Sequence, residues 1–151
     1  MQHLQLGGFV EALNATIKDY TIDPLLLGPL DYNFISLGLQ QTTDFRDNEV
    51  SPKRGWIFST SVDVGTIDNE EAFTREIARF SWYIPVGKCQ LAIGARAGAL
   101  QPVAPSIPID LRFFNGGATT VRSFAERQLG PKDKAGNPLG EIGRASCRER
   151  V

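Results

Sequence analysis

The chain has 151 residues, with sixteen Lys and Arg against seventeen Asp and Glu, one His, and 42% hydrophobic residues. That apolar share excludes a disordered chain, and a net charge of −1 leaves no electrostatic footprint for nucleic acid. No uninterrupted apolar run reaches the roughly eighteen residues of a spanning helix, but a spanning β-strand of about 9–11 residues needs only one apolar face, so a membrane barrel stays open.

The first residues show no basic stretch followed by an apolar one, so no secretion signal is predicted within the chain. Period-2 alternation then predicts five strands, at about 9–22, 33–45, 56–65, 73–84 and 88–100. The first is faint, with Leu13, Ala15 and Ile17 on its apolar side. In the second, Ile35, Leu37, Leu39 and Phe45 face one way, and Ser36, Gly38, Gln40 and Thr42 the other. The third sets Trp56, Phe58, Val62 and Val64 against Ser59, Ser61 and Asp63. The fourth alternates Ala78, Phe80, Trp82 and Ile84 with Arg79 and Ser81, and the fifth alternates Cys89, Leu91, Ile93 and Ala95 with Gln90, Gly94 and Arg96. Such strands are about twice the usual length of five or six residues.

Turns rich in Asp, Asn, Pro and Gly separate them at 23–31, 47–54, 65–71 and 85–87. In a meander, Phe45, Trp56 and Trp82 then lie at one end of the sheet on the apolar face. They fit an aromatic girdle at a membrane–water interface, or the closing layer of a soluble sandwich. The opposite face is small and wet, poor in Lys and Glu. Its charges Asp63, Arg79 and Arg96 would have to face a water-filled lumen if the apolar face meets lipid, where a mid-plane Arg costs about 2–4 kcal/mol.

A segment of nearly forty residues, 101–138, follows. Its Pro-punctuated start cannot continue a central strand. Asn115, Gly116 and Gly117 provide the positive-φ freedom for a reversal, and Phe113, Phe114 and Phe124 are too apolar for a solvated loop. The segment is therefore expected to pack inward. The final residues, 141–151 (EIGRASCRERV), lack apolar periodicity and read as a translated sequencing-library adapter. They are set aside as a non-native tail, which leaves 1–140 as part of one barrel domain of a longer protein, with thirteen basic and fifteen acidic residues. Cys147 goes with the tail, so Cys89 has no disulfide partner.

The run RFFNGGATTVRSF…LGP…GNPLG closely resembles the sixth extracellular loop of the BamA/TamA-type outer-membrane assembly barrels, the bacterial surface-antigen family. PKRGW and WYIPVG resemble strands of the same barrels, and the resemblance covers about 32–140. It implies an all-β fold: an antiparallel up-and-down transmembrane β-barrel of about sixteen strands, integral to the outer membrane of a Gram-negative-type bacterium, of which about five strands are present. It further implies that the loop folds into the lumen and that Val121, Arg122, Ser123 and Phe124 form its tether, with Arg122 against a carboxylate on a later strand. Arg112, Phe113, Phe114, Gly116 and Gly117 would support that loop. Ser123 stands where the family usually has Gly, which puts the shape of the loop tip in question. A confined guanidinium needs such a partner to offset its desolvation.

The implied function is assembly, insertion or translocation of outer-membrane proteins without covalent chemistry. The implied partners are unfolded client proteins, periplasmic or lipoprotein accessory subunits, and the lipid bilayer. A two-partner-type secretion transporter and a soluble β-sandwich binding module are the alternatives. No enzyme, cofactor or metal is expected: His3 is the sole histidine, far in sequence from Cys89, and Asp68, Glu70 and Glu71 form a solvated turn. Gly116–Gly117 lacks the strand–loop–helix setting of a phosphate cradle.

Overall fold

The computed structural model describes residues 3–68, 71–102, 107–117 and 123–150, the last eight of these as backbone alone. Long alternating segments extend side by side because each covers one neighbour's main-chain groups in turn. The result is one six-stranded antiparallel sheet in sequence order: β1 (His3–Thr16), β2 (Asp31–Asp44), β3 (Gly55–Ile67), β4 (Glu71–Val86), β5 (Cys89–Pro102) and β6 (Gly143–Arg150). One helical turn, α1 (Pro24–Leu27), lies between β1 and β2. The link between β4 and β5 and the one between β2 and β3 define a turn end of the sheet. The opposite, loop end carries the β1–β2 link and the long segment between β5 and β6. Among the described residues no helix is long and apolar enough to cross a membrane.

Burial is inverted relative to a soluble sheet. On β2, Leu37 and Leu39 are 62% and 72% exposed, while Ser36, between Ile35 and Leu37, is 2% exposed. The register spreads this inversion: Leu37 pairs with Val10 and Val64, Leu39 with Val62, and Phe58 with Phe80. No second layer covers that outward face among the described residues; its Leu4, Leu6, Val10 and Leu91 are exposed as well. In water such a continuous apolar face would be a large unfavourable patch, and in hydrocarbon it is the favourable one. The sandwich alternative, which needs a second sheet on this face, is not the observed architecture. Glu76 interrupts the face between Val62 and Ala99, at the loop-end margin of β4's apolar run from Ala78 to Val86.

Three expectations are corrected. The first strand runs over His3–Thr16 rather than 9–22, and its outward residues are Leu4, Leu6 and Val10. Leu13 and Ala15 point inward, Ala15 packing with Ile17 against the inner core. Both faces of this strand are apolar at its loop end, and that blurs the period. The second concerns only the place of the tail in the sheet, not its adapter origin: Gly143–Arg150, set aside from the strand pattern, lies along β5 with Leu100 opposite Gly143 and Ile93 opposite Arg150. An edge strand's ladder is made by main-chain groups, so an extended partner needs no alternation of its own to pair.

The third correction concerns the small inner residues, expected to be wet. Three aromatic rings lie over three inner glycines. A Cβ on Gly65 would stand 2.8 Å from Cζ of Phe73, one on Gly98 2.7 Å from Cζ of Phe113, and one on Gly38 would collide with the ring of Phe9. Each glycine leaves a hollow that a neighbouring ring fills, so this part of the inner face is packed. The core continues from there to the loop end as Tyr32, Phe34, Ile67, Phe73, Leu100 and Ile107.

Candidate functional site

The inner face and the segment that folds onto it form the candidate site. The long loop leaves β5 and returns to the sheet: Ile107 and Pro108 are fully buried, and the 3₁₀ turn Ile109–Leu111 sets Asp110 3.5 Å from the Tyr32 hydroxyl. Phe113 then seats on Gly98, and its backbone makes a two-way bridge with Glu141, donating at 3.1 Å and accepting at 2.7 Å. Arg112 clamps the two limbs of the loop. Its Nε and Nη2 donate to the Ile107 carbonyl at 3.1 and 2.8 Å, and Nη1 donates to the Leu139 carbonyl at 3.1 Å. Burial pushes the Arg112 pKa down from its ordinary value, but a guanidinium starts so high that it stays charged.

The expected reversal is present. Gly116 and Gly117 take φ of 103° and 98°, where a side chain is strained, and a Cβ on Gly116 would stand 2.6 Å from the Ala125 carbonyl oxygen. The Gly117 amide donates to Phe124 at 3.0 Å and the Leu129 amide to Asn115 at 3.0 Å, closing the reversal. Phe114 lies under the Arg127 guanidinium, 5.0 Å from its ring centre. A second turn is held by Asp133, which accepts from the Ala135 and Asn137 amides at 2.8 Å. The Asn137 side-chain amide, first among its donors, keeps that carboxyl below the usual carboxylate range.

The predicted site residues divide accordingly. Arg112, Phe113, Phe114, Gly116 and Gly117 come together in the inward-packed loop. Phe124 is 46% exposed, against the expectation that all three loop Phe pack inward, and Ser123 is exposed too. Val121 and Arg122 lie outside the described residues. At the other end, Phe45 and Trp56 stack with centroids 4.5 Å apart, Trp56 pairs in register with Trp82, and Phe80 stands 6.2 Å from Trp56. The three aromatics Phe45, Trp56 and Trp82 thus share the outward face at the turn end.

Sequence reasoning missed a charge network on the inner face. Arg75 donates from Nε to Asp63 at 3.0 Å and from Nη2 to Glu11 at 2.8 Å, so it ties β4 to β3 and to β1. The reach over β2 exists because β2 presents only Ser36 and Gly38 there. The guanidinium also sits 5.8 Å over the Phe34 ring. Only the register could have revealed it, since Glu11 and Arg75 are 64 positions apart. Among the described residues no group of three or more His, Cys, Asp or Glu converges as a metal site.

Substituting Gly98 tests how the loop is seated. Gly98→Val is expected to cost about 1–3 kcal/mol by overpacking and to unseat Phe113. Faster proteolysis between Pro102 and Glu141 in the folded barrel would report it, and an unchanged digestion pattern would refute the seating.

A family model, the Omp85 superfamily domain, matches residues 3–146. The chain belongs to the Omp85 superfamily. The outer membrane protein assembly factor BamA of Nitratidesulfovibrio vulgaris is 28% identical to it over 104 residues, which is 66% of this chain and 13% of that relative. The chain therefore spans about an eighth of the curated relative it matches. Within an Omp85 protein the sheet is a section of an outer-membrane β-barrel, its exposed apolar face turned to lipid and its opposite face to the interior.

Proposed function

We propose that this Omp85 section is wall and lumenal organiser of a factor that assembles or inserts other outer-membrane proteins, and that it does so without covalent chemistry. The observation that carries this reading is the inward seating of the long loop on the lumen face by Ile107, Phe113 and Arg112. A loop fixed there keeps the barrel interior ordered while the wall deforms elsewhere. Client strands would add to an opened edge by main-chain hydrogen bonding, and an apolar band that mismatches the bilayer would thin it locally. Unfolded outer-membrane proteins are the clients in this reading, with periplasmic or lipoprotein subunits assisting.

Arg122 is the proposed tether of the loop tip to a carboxylate elsewhere in the barrel, beside Val121, Ser123 and Phe124. A bidentate guanidinium–carboxylate pair has the geometry to pin a loop, and losing one partner of a confined pair is costly. In the full-length protein, Arg122→Ala is expected to increase protease cleavage of the loop and to lower the amount of folded client in the outer membrane. Wild-type cleavage together with wild-type client levels would sink the proposal.

A further inference from the structure

The β1–β2 link and the start of the long loop touch one another at the loop end of the sheet. The base of the link is fixed where the Ile17 amide donates to the Leu30 carbonyl at 2.7 Å and Ile17 packs with Ala15 against the inner core. Between those residues Asp23 caps the turn α1. Its side chain accepts from the Leu25 amide at 3.0 Å, and Pro24 sets the first helical φ. Leu27 in that turn is 2% exposed, whereas Leu25 is 91% exposed, so one side of the turn is covered and the other is open. The turn ends at Gly28 with φ of 80°, which a residue with a side chain adopts only under strain.

Gly28 is the point of contact. A Cβ there would stand 2.7 Å from the Ile107 carbonyl oxygen and 3.1 Å from the Pro108 nitrogen, so only a glycine lets the two backbones lie this close. That oxygen is the one that accepts from Nε and Nη2 of Arg112, while the Ile107 side chain belongs to the core with Tyr32 and Phe34. Residues 107 and 108 are thus held between the sheet and the link. A guanidinium–carbonyl hydrogen bond is stronger where water is kept away, so the link reinforces the Arg112 clamp without bonding to it. Among the described residues no hydrogen bond or ion pair joins the link to residues 107–112, and packing alone keeps it closed. A surface segment held in this way opens at a much lower free energy than paired strands do.

We infer that the β1–β2 link is a strap: closed on Ile107 and Pro108 it locks the long loop to the inner face through the Arg112 clamp, and lifted it frees the loop. Gly28 and Leu27 are then positioning residues, which act on the loop through Arg112. The inference rests on the proposed reading of the loop as lumenal organiser, to which it adds the element that holds the loop shut.

The test is hydrogen–deuterium exchange of the full-length barrel in membranes, each variant first shown to be folded. The reporters are the loop amides of Leu111, Arg112, Phe113 and Glu141, which donate to Pro108, Ile109, Glu141 and Phe113. Gly28→Ala is expected to speed exchange at all of them about tenfold, the shift that a side chain at positive φ brings, and to leave the β3 amides unchanged. Leu27→Ala, which removes the buried side chain without backbone strain, should act in the same direction, and Leu25→Ser on the open side of α1 should have no effect. Arg112→Gln should also speed exchange at these amides. In Gly28→Ala/Arg112→Gln the rate should not exceed that of the faster single variant, because both changes open one contact; independent structural damage would multiply the two effects. Faster exchange confined to residues 17–30, unchanged exchange at Phe113 and Glu141, or multiplied effects in the double variant would each overturn the strap. Faster exchange at the loop amides with normal amounts of folded client would uphold the strap and count against the organiser reading instead.

Discussion

Leu39→Arg is expected to stop this barrel from inserting, whereas Thr42→Lys, on the other face of the same strand, is expected to leave it folded. Leu39 is 72% exposed and lies between Gly8 and Val62 in the outward row. An Arg at the mid-plane of the lipid-facing surface costs about 2–4 kcal/mol, a large fraction of the stability of a typical domain. Thr42 faces the polar interior, between Gln5 and Ser59, where an ammonium group stays hydrated. Folding into lipid vesicles, read as the yield of protease-protected barrel, separates the two. A soluble sheet would give the reverse ranking of effects: the exposed Leu39 would accept a charge freely. Equal folding of Leu39→Arg and wild type would therefore end the lipid-facing assignment of this surface.

The sequence made β2 to β5 legible because those strands alternate cleanly, and a period of two survives any register. It made the loop's inward path legible through Phe113 and Phe114, which have no reason to sit in water. β1 was obscured by its own chemistry: Leu4, Leu6 and Val10 point out to lipid while Phe9, Leu13 and Ala15 point in, so neither face reads as polar. The three ring-over-glycine contacts and the bridge from Glu11 to Arg75 depend on which residues stand opposite one another across strands. That is set by the relative sliding of segments far apart in the chain, which alternation alone does not fix. The same holds for Arg79 opposite Arg96: each is visible as an inward charge, but their juxtaposition needs coordinates.

The second large effect is expected at Arg75. Asp63 is 2% exposed, and one of its carboxylate oxygens has no hydrogen-bond partner among the described residues, so the Arg75 Nε donor is its principal compensation. Arg75→Met should then leave a buried, uncompensated carboxylate and destabilise the barrel by about 3–5 kcal/mol. Asp63→Leu should cost less, because Arg75 keeps its contact with Glu11 at 2.8 Å, a residue that remains partly in solvent. Combining the two should recover much of the Arg75→Met loss, since replacing a buried pair by apolar groups of similar volume is often close to neutral. Urea unfolding of the full-length barrel in vesicles supplies the three free energies, and their non-additivity measures the coupling. Strictly additive losses would mean that Asp63 reaches water in the intact barrel, and that the network from β1 to β4 is not what holds this part of the lumen wall together.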